Sequence, residues 1–466
     1  MTHCTAKPAS FVRRSLLAKG CFPVSLCLCL AAAGFAPAAS AQQAANAAAD
    51  DGFSIAGSVR ARAELLDGQF RAKGPDYEDI ALFQTRVEAK YRSGPLTLVG
   101  EVMDSRAYGE ADNSPVRVGE VNALEPVQYY LDYDLGGALG AGSKTRVRVG
   151  QMRMTLGSIR LVNSPRFRNT TNAYLGVRVD RKGSDGSALT AFWTMPTMIL
   201  PRTPAKVYDN AVEIDRNSLD QQFAGLFYQR PVAGMTIEGY GYYLHEEDSP
   251  RYPTKNRNLY TTGTRLMKAP APGRGDFEFE AMLQFGTAHR SAAPGDTTPR
   301  DVWAQAFHGE VGYTFDRPMS PRVALVADYA SGQDDSDKIT RFDQLYGAIF
   351  PDFAPPGLYG PMTRANVFAP GIDLSAKPGK GRVWLTYRLM QVPQPNDLFG
   401  RSGIRNGPSH NAGQQIFARA RYPLMKNLRF EIGGALLFKG DFLKYAPTTQ
   451  NRETTRYAYT DLTFTF

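Results

Sequence analysis

After residue 41, no stretch approaches the roughly 18 consecutive apolar residues that a transmembrane helix requires, yet one pattern recurs to the last residue. About ten residues of alternating polarity are followed by a turn rich in Gly, Pro, Asn or Asp. Period-two alternation sorts side chains onto the two faces of a strand. In 275–287, Phe277, Phe279, Ala281, Leu283 and Phe285 share one face, and Glu278, Glu280, Met282 and Gln284 the other. In 380–390, Val383, Leu385, Tyr387 and Leu389 oppose Arg382, Thr386 and Arg388. Many such strands and no apolar helix leave one way to cross a bilayer: a closed sheet, whose backbone groups all pair between strands.

The pattern predicts eighteen strands, at 53–65, 79–92, 95–104, 125–135, 144–154, 173–181, 186–195, 220–229, 234–245, 258–268, 275–287, 301–316, 321–330, 365–376, 380–390, 412–422, 427–438 and 455–466. The connections test that reading independently. Short ones (93–94, 182–185, 231–233, 317–320, 377–379, 423–426) alternate with long ones (66–78, 105–124, 155–172, 196–219, 246–257, 331–364, 391–411, 439–454). Transmembrane β-barrels have short periplasmic turns and long extracellular loops. The expected fold is therefore all-β: an antiparallel transmembrane β-barrel of about 18 strands, both ends of the chain on the periplasmic side. At that size the interior is too wide for side chains alone to fill, so the apolar face is expected to meet lipid and the charged face the lumen.

Arg13, Arg14 and Lys19 form a basic segment, Cys21–Ala38 an apolar one, and Ala39-Ser40-Ala41 a small-x-small cleavage site. Residues 1–41 thus read as a secretory signal, 42–52 as a periplasmic leader and 53–466 as the barrel. Pro23, Pro37 and the polar segment after Ala41 argue against a membrane anchor. All four cysteines (Cys4, Cys21, Cys27, Cys29) fall within the signal, which leaves no disulfide, thiolate ligand or cysteine nucleophile for the rest. A closed hydrogen-bonded barrel supplies the cohesion that disulfides provide in other exported chains. Four basic and no acidic residues lie in the first 41, so the formal charge falls from +9 to about +5 beyond them. No Lys/Arg run marks a nucleic-acid surface. At the other end Leu462, Phe464 and Phe466 share one face, an ending of the kind read by the outer-membrane β-barrel assembly machinery.

Projected in period two, the lumen receives Arg60, Arg62, Arg86, Arg146, Arg148, Arg178, Arg322, Arg382, Arg388, Arg419, Arg421 and Arg429, with Lys90 the single lysine. Glu64, Glu88, Asp132, Asp180, Glu238, Glu278, Glu280, Glu310, Asp328 and Glu431 interleave with them. Two readings stay open. Ion-paired Arg and Asp/Glu stiffen the wall of any wide barrel. Against that, the preference for arginine over lysine, and the i, i+2 pairs Arg60/Arg62 and Arg146/Arg148, suit a row of planar forks that pass a carboxylated chain along.

Three stretches resemble the alginate export porin family. They are Val149-Gly150-Gln151-Met152 with Leu156–Val162 and Leu175–Arg178, Glu280–Gly286, and Ala327–Asp335 with Arg341–Gly347. The likeness spans the chain from about residue 145 onward. It implies an 18-stranded outer-membrane barrel passing anionic polysaccharide, and it adds Arg160, Arg178 and Asp328 as matched positions on the pathway. The family's Gly-Arg-Gln reads Gly150-Gln151-Met152 here, and its Phe-Asp-Gly reads Tyr174-Leu175-Gly176.

The leading expectation is a passive, anion-preferring channel in the cell outer membrane, with no cofactor and no metal. The expected partners are outer-membrane lipid and lipopolysaccharide, the assembly machinery, an anionic polysaccharide or small anions as cargo, and periplasmic polysaccharide export proteins. A general porin is the second reading, in which the 331–364 loop folds inward and narrows the channel. The Asp334-Asp335-Ser336-Asp337 run in that loop lacks the D-x-D-x-D-G spacing of a calcium loop. An outer-membrane hydrolase would have to draw on Ser409-His410-Asn411 or His245-Glu246-Glu247-Asp248, both in polar loops.

Overall fold

A computed structural model describes residues 51–466; the expected signal and all but the end of the leader lie outside the described residues. The strands run in order β1 (Gly52–Asp67), β2 (Tyr77–Ser93), β3 (Leu96–Tyr108), β4 (Asn122–Gly136), β5 (Lys144–Met152), β6 (Tyr174–Lys182), β7 (Ala188–Pro196), β8 (Gln221–Val232) and β9 (Met235–Glu246). They continue with β10 (Asn258–Lys268), β11 (Arg274–Ala288), β12 (Arg300–Thr314), β13 (Arg322–Ala330), β14 (Val367–Ala376), β15 (Arg382–Gln391), β16 (Asn411–Met425), β17 (Leu428–Lys439) and β18 (Thr455–Thr465). All eighteen expected strands are present, and no strand end departs from its expected position by more than four residues. Each strand pairs antiparallel with its sequence neighbours. β18 closes the sheet on β1, from Ser58↔Thr465 to Asp67↔Arg456.

Every second connection is long, so the large loops gather at one end and both termini of the barrel lie at the other. The period-two faces fall as expected. Phe279, Leu283, Phe285, Val383, Leu385 and Leu389 are exposed on the outside, while Glu280, Met282, Gln284, Thr386 and Arg388 are buried inside. Such an outer face of Leu, Val and aromatic side chains suits a hydrocarbon solvent.

The lumen corrects one expectation. The charged wall is not the whole interior, because the long loops fold in and fill much of it. Phe342, Ile349, Phe353, Leu358, Tyr359 and Met362 of the 331–366 loop are buried. They join Tyr174, Phe192, Phe223, Tyr240 and Tyr242 from the wall in one apolar cluster. Tyr346 of that loop also forms a parallel bridge with Val162 of the 153–173 loop. Two short helices, α1 (Pro204–Tyr208) and α2 (Asp441–Tyr445), sit in further long loops, and both carry buried apolar side chains. The narrowing loop of the second reading is thus observed, whereas the Asp334–Asp337 run stays outside, with the Asp337 side chain 97% exposed.

Two glycines in the resembling stretches have a backbone reason. Gly150 and Gly286 have φ of +128° and +134°. A Cβ at Gly286 would stand 2.0 Å from the Asn258 carbonyl oxygen, and one at Gly150 would stand 2.3 Å from that of Tyr129. Both contacts are with the neighbouring strand's backbone, which the ladder holds in place. Gly286→Ala is expected to cost about 1–3 kcal/mol, read as a lower urea midpoint of the barrel in micelles. Gly100→Ala, where a Cβ meets open space, is the control expected to leave the midpoint unchanged.

Candidate functional site

The inward loops are held to the wall by buried ion pairs, and the centre of these is Arg160, in the 153–173 loop. Its guanidinium meets Glu278 at 2.5 Å and Glu280 at 2.7 Å on β11, and Asp352 of the 331–366 loop at 2.8 Å. Arg364 reaches the same Asp352 at 2.5 Å. Arg388 of β15 donates to the Asp352 carbonyl at 3.1 Å and pairs with Asp373 at 2.8 Å. Glu280 also accepts from the Tyr240 hydroxyl at 2.6 Å and from Ser158 at 3.0 Å. Two loops and three strands thereby share one set of charges. Burial opposes ionisation of Asp352, but Arg160 and Arg364 outweigh it and hold the carboxyl below the ordinary carboxylate range.

His308, Asp328 and Asp352 also converge here, each offering an atom within 4.8 Å of the others. His308 Nδ1 lies 2.9 Å from Asp328 Oδ1. With Asp352 already facing two guanidinium groups, a further cation would be repelled, so the cluster does not suit a metal ion.

The second feature is a cavity of about 750 Å³ that runs beside the loops. Its lining includes Arg117, Glu120 and Arg401 from the long loops and Arg429, the second residue of β17, next to a short turn. Nine arginines line it: Arg60, Arg62, Arg117, Arg166, Arg168, Arg401, Arg419, Arg421 and Arg429. Against these stand Glu120, Glu431 and Asp461, and the lining contains no lysine.

These arginines are not equivalent. Arg60 donates to the carbonyls of Arg166 (2.7 Å) and Arg168 (3.2 Å) and to Asn169 Oδ1 (2.8 Å). Arg62 pairs with Asp461 at 2.9 Å, donates to the Phe167 carbonyl at 2.6 Å and stacks on that ring at 3.6 Å. Both are committed to anchoring the 153–173 loop. Arg419 is 3.9 Å from Glu431, and Arg429 donates to Thr463 at 3.3 Å, so neither has a close acid. Arg421 takes Glu431 at 2.5 Å with its side chain 39% exposed. Arg168 is half-buried, with Thr170 and Asn172 as side-chain partners. Burial pulls its guanidinium below its ordinary range despite Glu120. Arginine stays protonated in proteins, so this marks a positive charge short of compensation.

The remaining sequence-predicted residues divide in the same way. Arg86 pairs with Glu101 at 2.5 Å, Arg148 with Asp132 at 2.7 Å over the Tyr130 ring, and Arg178 with Asp180 at 2.8 Å. Arg146 is exposed beside them. Arg382 is exposed near Trp384. Arg160 and Asp328, expected on the pathway, lie within the buried network instead, 4% and 2% exposed. Arg117, Arg166, Arg168 and Arg401 escaped the projection because a period of two has no meaning in a loop; the only signal was the density of arginine in Arg160–Arg168. Of the hydrolase candidates, His410 Nδ1 lies 2.8 Å from the Val392 carbonyl and Ser409 Oγ accepts from the Asn411 N–H at 3.0 Å. His245 Nδ1 lies 2.7 Å from Asn258 Oδ1. Those ring nitrogens and that hydroxyl are turned to local structure.

A closed eighteen-stranded antiparallel barrel with inward loops and a charged lumen is the architecture of outer-membrane porins. The family model described as alginate export matches residues 52–456, and the chain belongs to that family. Among solved structures it is similar to Pseudomonas aeruginosa OccK8 (OprE), at 13% identity and a TM-score of 0.54, over 89% of this chain and 98% of that one. It is similar too to OccK11 (OpdR) of the same organism, at 12% identity and a TM-score of 0.52, over 90% and 98%. A third is P. aeruginosa OpdK with vanillate, at 11% identity and 0.52, over 89% and 98%. At such identities the likeness is one of fold. No curated protein matches the sequence.

Removing Arg160 leaves Glu280 without a cation and takes one of two from Glu278 and from Asp352, which keep Arg265 and Arg364; truncating one partner of a buried ion pair costs about 3–5 kcal/mol. Arg160→Met is expected to loosen both loops, giving larger and noisier single-channel conductance in planar bilayers. Because Asp352 in the fold gives up its proton more readily than an ordinary carboxyl, its contribution is complete above about pH 4 and declines as the pH falls further. Wild-type conductance is therefore expected to hold steady from pH 8 to pH 5 and to rise only in stronger acid.

Proposed function

We propose that the protein is a channel of the outer membrane that passes an anionic polysaccharide or its oligosaccharides by passive, arginine-guided diffusion. The observation that carries this reading is the excess of nine arginines over three carboxylates along one cavity between the long loops and the short turns. A structural network would be balanced, as it is around Arg160. Here Arg419 and Arg429 have only distant or neutral partners, so an entering carboxylate gains a partner without first breaking a strong pair. Neighbouring guanidinium forks of this kind bind carboxylates in turn and release them.

In this reading the short turns face the periplasm and the long loops face outward. Lipopolysaccharide and lipid surround the apolar face, the assembly machinery reads the Phe466 end, and periplasmic export proteins deliver the cargo. Membership of the alginate export family makes a uronate polymer the first cargo to test.

A second reading, a porin selective for small anions, has its own support. The buried 331–366 loop fills much of the lumen, which favours a short solute over a chain. Either channel reading accounts for the charged cavity, which a hydrolase leaves unexplained.

Wild-type protein in a planar bilayer under a KCl gradient is expected to give an anion-selective reversal potential. Arg421→Gln with Arg429→Gln should move that potential toward zero. Graded oligouronates separate the two readings: block that strengthens with chain length supports the polysaccharide, and block by monomers alone supports the small-anion porin. A reversal potential at zero in the wild type would remove both.

A further inference from the structure

Trp384 is the one tryptophan that faces the lumen. The chain has three, and Trp193 and Trp303 are 42% and 55% exposed on the outer face. Trp384 is half-buried and lines a second cavity, of about 260 Å³, together with Arg382, Thr386, Arg388 and Arg419. Three guanidinium groups surround its indole: Arg419 at 4.0 Å from the ring centre, Arg382 at 5.3 Å and Arg421 at 5.6 Å. Arg419 lies also 4.6 Å from the Phe350 ring, on the 331–366 loop. That arginine lines both this cavity and the larger one.

The register brings two of these arginines face to face. Arg382 stands directly opposite Arg421, and Trp384 directly opposite Arg419. Like charges directly opposite in a sheet destabilise it. Arg148 likewise faces an arginine, Arg178, across the strand, but there each has an acid of its own, Asp132 at 2.7 Å and Asp180 at 2.8 Å. Here the nearest acid, Glu431, serves Arg421 at 2.5 Å and Arg419 at 3.9 Å, while Arg382 has no ion pair among the described residues. The fold therefore holds an aromatic face next to an under-neutralised pair of forks. Residues i and i+2 of a strand are about 6.6 Å apart, so a ring laid on Trp384 directs a carboxylate on its rim toward Arg382 and Arg421.

We propose that Trp384, with Arg382 and Arg421, forms a subsite that selects carboxylates borne on a ring over open-chain carboxylates of the same charge. The subsite rests on the anion-channel reading and names the cargo class within it. The indole supplies a flat apolar surface for the C–H face of a pyranose or for an aromatic ring. The two guanidinium groups supply bidentate partners for the acid.

Glucuronate and gluconate test this, because both carry six carbons and one carboxylate and only the first bears its carboxylate on a six-membered ring. In the full barrel bearing Trp193→Phe and Trp303→Phe, fluorescence reports Trp384 alone. Glucuronate is expected to change it saturably, at about a fivefold lower midpoint than gluconate, the weight of one aromatic contact. In bilayers, Trp384→Leu should erase the difference between the two acids in channel block while the KCl reversal potential keeps its sign. Trp384→Phe should restore part of it. Equal responses to both acids, or discrimination that survives in Trp384→Leu, would overturn the subsite and leave the anion channel standing. A wild-type reversal potential without anion preference would remove the reading beneath it.

Discussion

In hydrocarbon an unpaired backbone N–H or C=O has no water to turn to, and each costs several kcal/mol. Everything else in this protein follows from meeting that constraint with strands. The sheet must close, which it does where β18 meets β1. Closure with neighbours in sequence order brings both barrel ends to the side of the short turns and leaves the other side free for length. The long loops could accordingly grow and fold inward without disturbing the ladder. Lipid contact assigns the apolar face outward, so most strand charges are directed into an interior that must then accommodate them; Asp104, Arg106 and Arg456, toward the long-loop ends of their strands, are exceptions.

That accommodation is uneven around the wall. On β9–β15 the acids dominate: Glu238, Glu278, Glu280, Asp328 and Asp373 are answered by arginines that come partly from loops, Arg160 and Arg364. Burying such charges carries a large desolvation penalty, offset only where geometry and extra hydrogen bonds are good. The Tyr240, Ser158 and backbone contacts around Glu280 and Asp352 provide them. What results is a clamp that fixes the loops. On β15–β18 and β1 the balance reverses, and the arginines outnumber their partners. The same residue type thus performs two tasks, told apart by what stands within hydrogen-bonding reach.

The fold was legible in the sequence because its rule is local and repeated. Period-two polarity and the alternation of short and long connections carry strand number, face and direction together, and a strand such as 258–268 can be read to the residue. The site was legible only in part. Period two correctly turned Arg60, Arg419 and Arg421 inward, but whether an inward arginine is engaged depends on partners remote in sequence. Arg62 meets Asp461 nearly four hundred positions away, and Arg160 meets Asp352 across 192 positions. Loop residues such as Arg166 and Phe350 carry no periodicity at all. The resemblance placed Arg160 and Asp328 on the pathway, and in the fold both are buried in the clamp.

A conduit needs sites strong enough to draw cargo in and weak enough to let it go. A lumen of bare arginines would trap a polyanion, and a fully paired one would ignore it. The stretch from Arg429 through Arg421 to Arg419 lies between these limits, because one carboxylate, Glu431, is shared at 2.5 Å and 3.9 Å by two of the three. An incoming acid competes with Glu431 at Arg421 and Arg419 and displaces only the Thr463 hydroxyl at Arg429, so each step is a partner exchange with a small net change. Arg419, held between Phe350 and Trp384, adds a geometric condition. Its guanidinium lies within 4.6 Å of two ring centres, one on the wall and one on the inward loop. The clamp at Arg160 fixes the loop that carries Phe350, so the placement of the weakly paired arginine depends on the strongly paired one.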